Sequence, residues 1–359
     1  MHFQSVLRTL SHTVWIFACT LAIASCGRGD GGAMAITMIT PDDKAISYSD
    51  CVHVEVSPVS AIFDRLIDAA SGIRWDNPGA RIRFNTDART VTASLFYDAR
   101  HNHPARNGNG TFLIDGKVAG HYTSQARPGA VRVSLQGADD GKAHLYELIL
   151  PYADSVQFNG LEVSAGAKFF DVPPRPKTMW LAYGDSITEG YLSSDPTANY
   201  PSQVGDAKHW QVTNMGFGGR QATGSDGLIL ADMPADIVTV LMGANDAIAG
   251  KTPEVFKADV GQVVANIRAQ HKNVPIYIIT PLCVPAGGWN NLEAKLEPLR
   301  AALRVFVAAG ADKNLHLIEG PDLIPHEVKY CQDGLHPNDE GFRIMAANLC
   351  AALPDINGH

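Results

Sequence analysis

What most constrains the fold of this chain is a change of hydrophobic period across a run of prolines. Up to about residue 170 apolar residues tend to recur at every second position. From Lys177 on, short apolar runs alternate with stretches at helical spacing. Between the two lies Asp171-Val172-Pro173-Pro174-Arg175-Pro176, which reads as a stiff linker over 171–177 because proline fixes φ and keeps the preceding residue extended. A period of two puts side chains on alternate faces of a strand, and a period near 3.6 lines one face of a helix. The sequence therefore predicts two domains of different class, which a length of 359 residues accommodates.

The first domain, expected over 44–170, alternates in Arg81-Ile82-Arg83-Phe84 and in Val131, Val133 and Leu135 against Arg132 and Ser134. Asp115-Gly116 and Asn159-Gly160 each read as a two-residue hairpin turn between apolar runs. Short strands at this spacing predict an antiparallel, jelly-roll-like β-sandwich, with one short helix near residues 60–70. The second domain, expected over 178–359, offers Met179–Tyr183, Trp210–Asn214, Ile237–Met242 and Ile276–Thr280 as buried strands. Phe256, Val260, Val263 and Ile267 form a helical stripe behind Thr252-Pro253, a cap followed by a first-turn proline. Strands joined by helices predict right-handed crossovers and a parallel sheet, hence an α/β domain.

Residues 1–25 read as an export signal, with Arg8 before an apolar run from Val14 to Ala24 that is too short to span a bilayer. The run ends Ile23-Ala24-Ser25-Cys26, which resembles a bacterial lipobox and predicts lipid on Cys26. A glycine-rich tether over 26–43 follows, and Gly27 in place of Asp favours the outer membrane of a two-membrane envelope. The chain is thus expected to be exported and anchored to a membrane through Cys26. In an oxidising compartment Cys51, Cys283, Cys331 and Cys350 can pair in three ways. A Cys283–Cys331 bridge beside the last polar loop is expected, with Cys331–Cys350 as the alternative. A net charge of -8 without a basic run speaks against a nucleic-acid partner.

In an open parallel sheet, reactive groups gather beyond the carboxyl ends of the strands. There the sequence places Gly184-Asp185-Ser186, Gly216-Phe217-Gly218-Gly219, Gly243-Ala244-Asn245-Asp246 and Asp333-Gly334-Leu335-His336. These are the parts that acyl transfer needs. A serine hydroxyl at a strand-to-helix turn is exposed but needs a base, and His336 supplies one. Asp333, one turn earlier, can hold the other ring nitrogen. The backbone N–H groups of Ser186 and Gly219 and the side-chain amide of Asn245 can receive an oxyanion. Asp185 and Asp246 read as structural caps, and His101-Asn102-His103 beside Asp98 as a solvated turn rather than a metal site. No metal and no cofactor is expected.

This ordered set resembles the SGNH, or GDSL-type, hydrolases over about residues 178–359. The resemblance implies a three-layer α/β/α domain and carboxylic ester hydrolysis by Ser186, His336 and Asp333. With the preceding β-sandwich, it resembles the two-domain carbohydrate esterases, which implies an acetylated saccharide as substrate. A lipase or broad carboxylesterase is the alternative within that chemistry, and a non-enzymatic glycan-binding surface lipoprotein the alternative outside it. Loops after Gly190, at Phe217 and around Gly287-Gly288-Trp289 are expected to rim the cleft, with Trp289 offering a flat face to a sugar ring.

Overall fold

The computed structural model describes residues 35–67, 72–102, 108–136, 140–289, 291–310 and 312–356. The expected signal segment and Cys26 lie outside them. The N-terminal half is built of β1 (Ile36–Ile39), β2 (Ser47–Ser49), β3 (His53–Val56), β4 (Ala61–Asp64), β5 (Arg81–Thr86), β6 (Thr90–Asn102), β7 (Gly110–Ile114), β8 (Lys117–Tyr122), β9 (Gly129–Gln136), β10 (His144–Ile149), β11 (Asp154–Ser164) and β12 (Phe169–Phe170). One sheet runs β3-β4-β11-β6-β9 with β1 also on β11; the other runs β12-β5-β10-β7-β8 with β2 also on β5. Every strand pair in both sheets is antiparallel. Between the sheets lies one core, with Phe63, Ile82, Phe84, Leu95, Tyr146 and Phe158 each no more than 1% exposed.

Several local expectations give way here. The region expected as tether already contains β1, whose backbone pairs with Leu161–Ser164. The expected helix near residues 60–70 is replaced by β4 and then a short 3-10 turn at Gly72–Trp75, because Ala61 and Phe63 are needed in the sandwich core. Asp115-Gly116 does form a hairpin turn, with φ of 51° and 75°. Asn159-Gly160 does not: β11 runs straight through it with a shift of register, and Gly160 takes φ 108° where a Cβ would stand 2.4 Å from the Ile39 carbonyl oxygen.

The C-terminal half contains β13 (Met179–Gly184), α1 (Ser186–Glu189), α2 (Tyr200–Lys208), β14 (Gln211–Gly216), α3 (Asp226–Ala231), β15 (Ile237–Leu241), α4 (Ala244–Ile248), α5 (Pro253–Gln270), β16 (Ile276–Ile279), α6 (Leu292–Ala309), β17 (Leu315–Ile318) and α7 (Asp339–Ala352). The sheet is wholly parallel in the order β14-β13-β15-β16-β17. One apolar cluster, which includes Phe256, Val263 and Leu299, fills one face of the sheet, and a second, which includes Tyr200, Phe342 and Leu349, fills the other. The result is a three-layer α/β/α domain behind an antiparallel sandwich. The stripe behind Thr252 forms α5, with the Thr252 hydroxyl accepting from the Val255 N–H at 3.4 Å. Pro298 lies inside α6.

Along β5 the expected alternation of buried and exposed residues fails, since Arg81 and Arg83 are only 6% and 4% exposed. Their face is covered by the other half of the molecule. Arg83 Nε donates to Glu147 at 2.9 Å, and Arg81 reaches Asp206 on α2 at 3.5 Å. Beside them, Asp50 accepts from Arg175 at 2.9 Å and from the Val212 N–H at 3.1 Å. The polar side of this sandwich sheet is therefore a seam against the α/β layer rather than a solvated face.

Candidate active site

Because β13 lies between β14 and β15, the loops after all three open at one place, where the strand order reverses. Ser186 is the first residue of α1, directly after β13. Gly184 permits that turn, since a Cβ there would meet Thr188 Oγ1 at 2.0 Å and the Leu241 carbonyl oxygen at 2.7 Å. The Asp185 carboxylate accepts from the Ile187 N–H at 3.0 Å and caps the helix.

Ser186 and His336 stand 150 positions apart in sequence and meet through Ser186 Oγ and His336 Nε2 at 2.8 Å. The far side of the ring is held by Asp333, whose Oδ2 is 2.8 Å from His336 Nδ1. Asp333 Oδ1 accepts from the backbone N–H groups of His336 at 2.8 Å and Leu335 at 3.0 Å. Burial works against the Asp333 carboxylate, but the His336 ring and these N–H groups outweigh it and hold its pKa at about 2. An ionised Asp333 takes the proton-bearing Nδ1 side, which leaves Nε2 as the acceptor for the serine hydroxyl. Tyr191 packs edge-on against the imidazole at 4.4 Å between ring centres, and the Trp289 ring lies 6.4 Å away on a T-shaped approach. Trp289 Nε1 donates to the Asp333 carbonyl at 3.2 Å, so this half-exposed indole also braces the loop it overlooks.

The expected oxyanion donors converge on the same cleft, of about 220 Å³, lined by Ser186, Gly219, Asn245, Trp289, Asp333 and His336. Gly219 sits at the third position of a turn closed by the Arg220 N–H on the Phe217 carbonyl at 3.1 Å, with φ 76°. A type II turn requires positive φ there, which is why a glycine occupies it. Asn245 spends one amide N–H on the Arg220 carbonyl at 3.2 Å, and its second remains for the cleft.

Three expectations are corrected. Phe217 does not rim the cleft: it is fully buried beneath the turn. Asp246 does not cap α4 but binds the Ala222 N–H at 3.1 Å and Lys251 Nζ at 2.8 Å, tying the Gly219 loop to that helix. The four described cysteines are free. Cys283 donates to the Ile324 carbonyl at 3.6 Å instead of bonding Cys331, and burial pushes the two thiols up to about 12 and about 11. His101 lies on β6 and hydrogen-bonds Asp76 at 2.7 Å, a partner that spacing did not suggest, while His103 lies outside the described residues. Among the described residues no group of three His, Cys, Asp or Glu side chains is placed to hold a metal ion.

Residues 182–344 match the GDSL-like Lipase/Acylhydrolase family. No curated protein matches by sequence. Among solved structures, the salicylyl-acyltransferase SsfX3 of a tetracycline biosynthetic pathway is similar, with a TM-score of 0.75 and 20% identity over 91% of this chain and 100% of that one. A family two carbohydrate esterase from Cellvibrio japonicus superposes with a TM-score of 0.67 and 15% identity over 89% of this chain and 97% of that one. An acetyl xylan esterase from Butyrivibrio proteoclasticus does so with 0.63 and 13%, over 89% and 97%. Each covers both halves, so the pairing of a sandwich with an α/β layer is a shared architecture. Residues 182–344, most of the α/β half, thus carry the likeness to the GDSL-like lipase/acylhydrolases, and the protein is an ester hydrolase of SGNH type.

Proposed function

We propose that the protein removes short acyl groups, acetyl above all, from carbohydrate through a serine acyl-enzyme. The observation that carries this is the unbroken relay from Asp333 through His336 to Ser186, with both hydrogen bonds at 2.8 Å. Ser186 Oγ attacks the ester carbonyl carbon as His336 Nε2 takes its proton, and the charged ring is stabilised by Asp333. The Ser186 and Gly219 N–H groups and the Asn245 amide receive the oxyanion, and each such donor is worth about 2.7–4 kcal/mol in the barrier. Collapse expels the alcohol, which leaves with the proton from His336. Water then repeats the sequence on the acyl-enzyme and releases the acid.

Two features support a short acyl group on a hydroxyl-rich alcohol. The cleft of about 220 Å³ is smaller than the roughly 300–1,000 Å³ that enclose drug-sized ligands, so a long acyl chain would not fit within it. Leu192 and Gln332, the chain neighbours of its lining residues Tyr191 and Asp333, line a wider groove of about 540 Å³ whose walls include Tyr152, Ser193, Ser194, Asp339 and Glu340. Those walls suit the hydrogen-bonding surface of a sugar better than an acyl tail. The two carbohydrate esterases with this fold point the same way. Export with lipid on Cys26 belongs to the same proposal, since it would hold the enzyme against extracellular polysaccharide.

The test is an ester panel run on the whole chain with Ser186→Ala and Trp289→Ala beside it. Ser186→Ala should abolish turnover with the fold intact. Aryl ester rates should fall from acetyl to butyryl on the order of 10–100-fold, because overfilling a rigid pocket costs about 1–3 kcal/mol. Trp289→Ala should weaken release of acetate from acetylated xylan more than from an aryl acetate. A preference for octanoyl or longer chains would replace this function by that of a lipase.

A further inference from the structure

Arg65 is part of the sandwich by sequence and part of the active site by position. It follows β4 directly and is 1% exposed. Its guanidinium donates to the carbonyl of Gly216 and lies 3.8 Å above the centre of the Phe217 ring. It also stands 3.9 Å from the carboxylate of Glu189, which is wholly buried. These partners flank the reacting groups. Gly216 ends β14 and leads into the turn that carries Gly219, while Glu189 ends the helix that begins at Ser186. A Cβ on Gly216 would stand 2.0 Å from the Glu189 nitrogen, so the two backbones touch. One guanidinium spans that junction.

The segment that presents Arg65 is built to hold still. The Arg65 N–H donates to the Arg74 carbonyl at 3.0 Å, and Asp64 accepts from the Leu66 N–H at 2.8 Å and from Arg74 Nε at 2.9 Å. Leu66 takes φ 62°, a strained conformation for a bulky residue that its surroundings must enforce. Ile67, next along, is fully buried in the core of the α/β half. A buried charge pair is poor value as stabilisation, because desolvation offsets its Coulomb attraction and an apolar side chain of similar volume does as well or better. What a guanidinium adds is a planar, directional fork that fixes several groups at once.

We propose that Arg65 is a positioning residue: through it the sandwich sets the spacing between the Ser186 helix and the Gly219 turn, and so completes the oxyanion site. This rests on the serine-esterase function proposed above. Oxyanion donors act only within about 2.7–3.1 Å of the developing charge, and a displacement of about 1 Å can cost on the order of 100-fold in rate.

The experiment compares the full chain with Arg65→Met, Arg65→Lys and the double variant Arg65→Met/Glu189→Gln, measuring aryl acetate kinetics and thermal unfolding on each. Arg65→Met should lose roughly 10–100-fold in kcat with KM nearly unchanged. Arg65→Lys, which keeps the charge and the stem, should recover part of that loss. The double variant strands no buried carboxylate and should melt near the wild-type temperature while kcat stays low. If Arg65→Met does not fold, the other two carry the comparison. A double variant that folds with wild-type kcat, or variants that change KM alone, would overturn the proposal. A wild-type chain inactive on every ester would instead refute the serine-esterase function, and the positioning role with it.

Discussion

Asp185→Asn separates a structural acid beside Ser186 from a reacting one. Asp185 is 1% exposed and accepts from the Ile187 N–H at 3.0 Å. Burial raises its pKa from 3.8 to about 6; the Ile187 N–H and the charge of His336 pull it back, and Asp246 adds to the rise. The folded chain therefore binds this proton more tightly than the unfolded chain. Stability falls as pH rises between those two values and is flat above them. The gap of about 2 units, at 1.36 kcal/mol each, makes the folded state lose about 3 kcal/mol on this account between about pH 4 and pH 7.

Asparagine keeps the acceptor for the Ile187 N–H and never ionises, so it escapes that loss. Titrating groups that do not feel the Asp185 charge are shared by the two proteins and cancel in their difference. The stability advantage of Asp185→Asn over wild type should thus be larger at about pH 8 than at about pH 4, by up to about 3 kcal/mol. Urea unfolding at both pH values measures it. Turnover of an aryl acetate should stay within a few-fold of wild type, since the capping bond survives. An advantage equal at the two pH values, or a penalty that grows with pH, would refute burial as the cause of the shift.

His336→Ala should approach the inactivity of Ser186→Ala, and Asp333→Ala should be milder on the order of 10–100-fold in kcat, because the base acts on the hydroxyl and Asp333 acts through the base. Greater damage from Asp333→Ala would reverse these roles. Held at about 2, the Asp333 carboxylate should add no inflection to the pH–rate profile above about pH 4. The mature N-terminus should be a lipid-modified Cys26 by mass spectrometry, and Cys26→Ser should lack the lipid; a native terminus elsewhere with no lipid mass would remove the anchor.

Long periodic segments and ordered motifs were legible in the sequence because their signals are local. Five residues of α5 are buried, and they include Phe256, Val260, Val263 and Ile267, the stripe read from spacing. Ser186, Gly219, Asn245, Asp333 and His336 line one cleft because each closely follows a strand end or lies on the loop before α7. What could not be read depends on contacts from far along the chain. Asn-Gly suits a hairpin and a bulge equally, and the approach of β1 to Gly160 selects the bulge. Leu315–Ile318 is an edge strand with two half-buried residues, too weak an apolar run to stand out. Cys283 and Cys331 sit at the same edge of the sheet, but one faces the Ile324 carbonyl. Arg65 carries no local signal at all, since the sequence places it in an expected short helix and the guanidinium's partners Glu189, Gly216 and Phe217 lie more than a hundred positions away.

The sheet order leaves His336 to be delivered to Ser186 from a distance. β17 is the far edge of the sheet, so the loop after it must return across the molecule to bring His336 to Ser186. Packing on the opposite face of the sheet makes that return possible: α7 lies against α2, with Phe342 and Tyr200 stacked at 6.4 Å. Asp339, at the start of α7, accepts from the Ser194 N–H at 2.8 Å, and Tyr152 of the sandwich accepts from the Leu192 N–H at 3.1 Å. The intervening loop thereby presses Tyr191 against the imidazole. The sandwich thus reaches this region at two places, with Tyr152 on the loop that carries Tyr191 and Arg65 on Gly216 and Phe217 at the start of the Gly219 turn. Since a serine and a histidine 150 positions apart must hold a 2.8 Å contact, the rigidity of that contact comes from both halves of the chain.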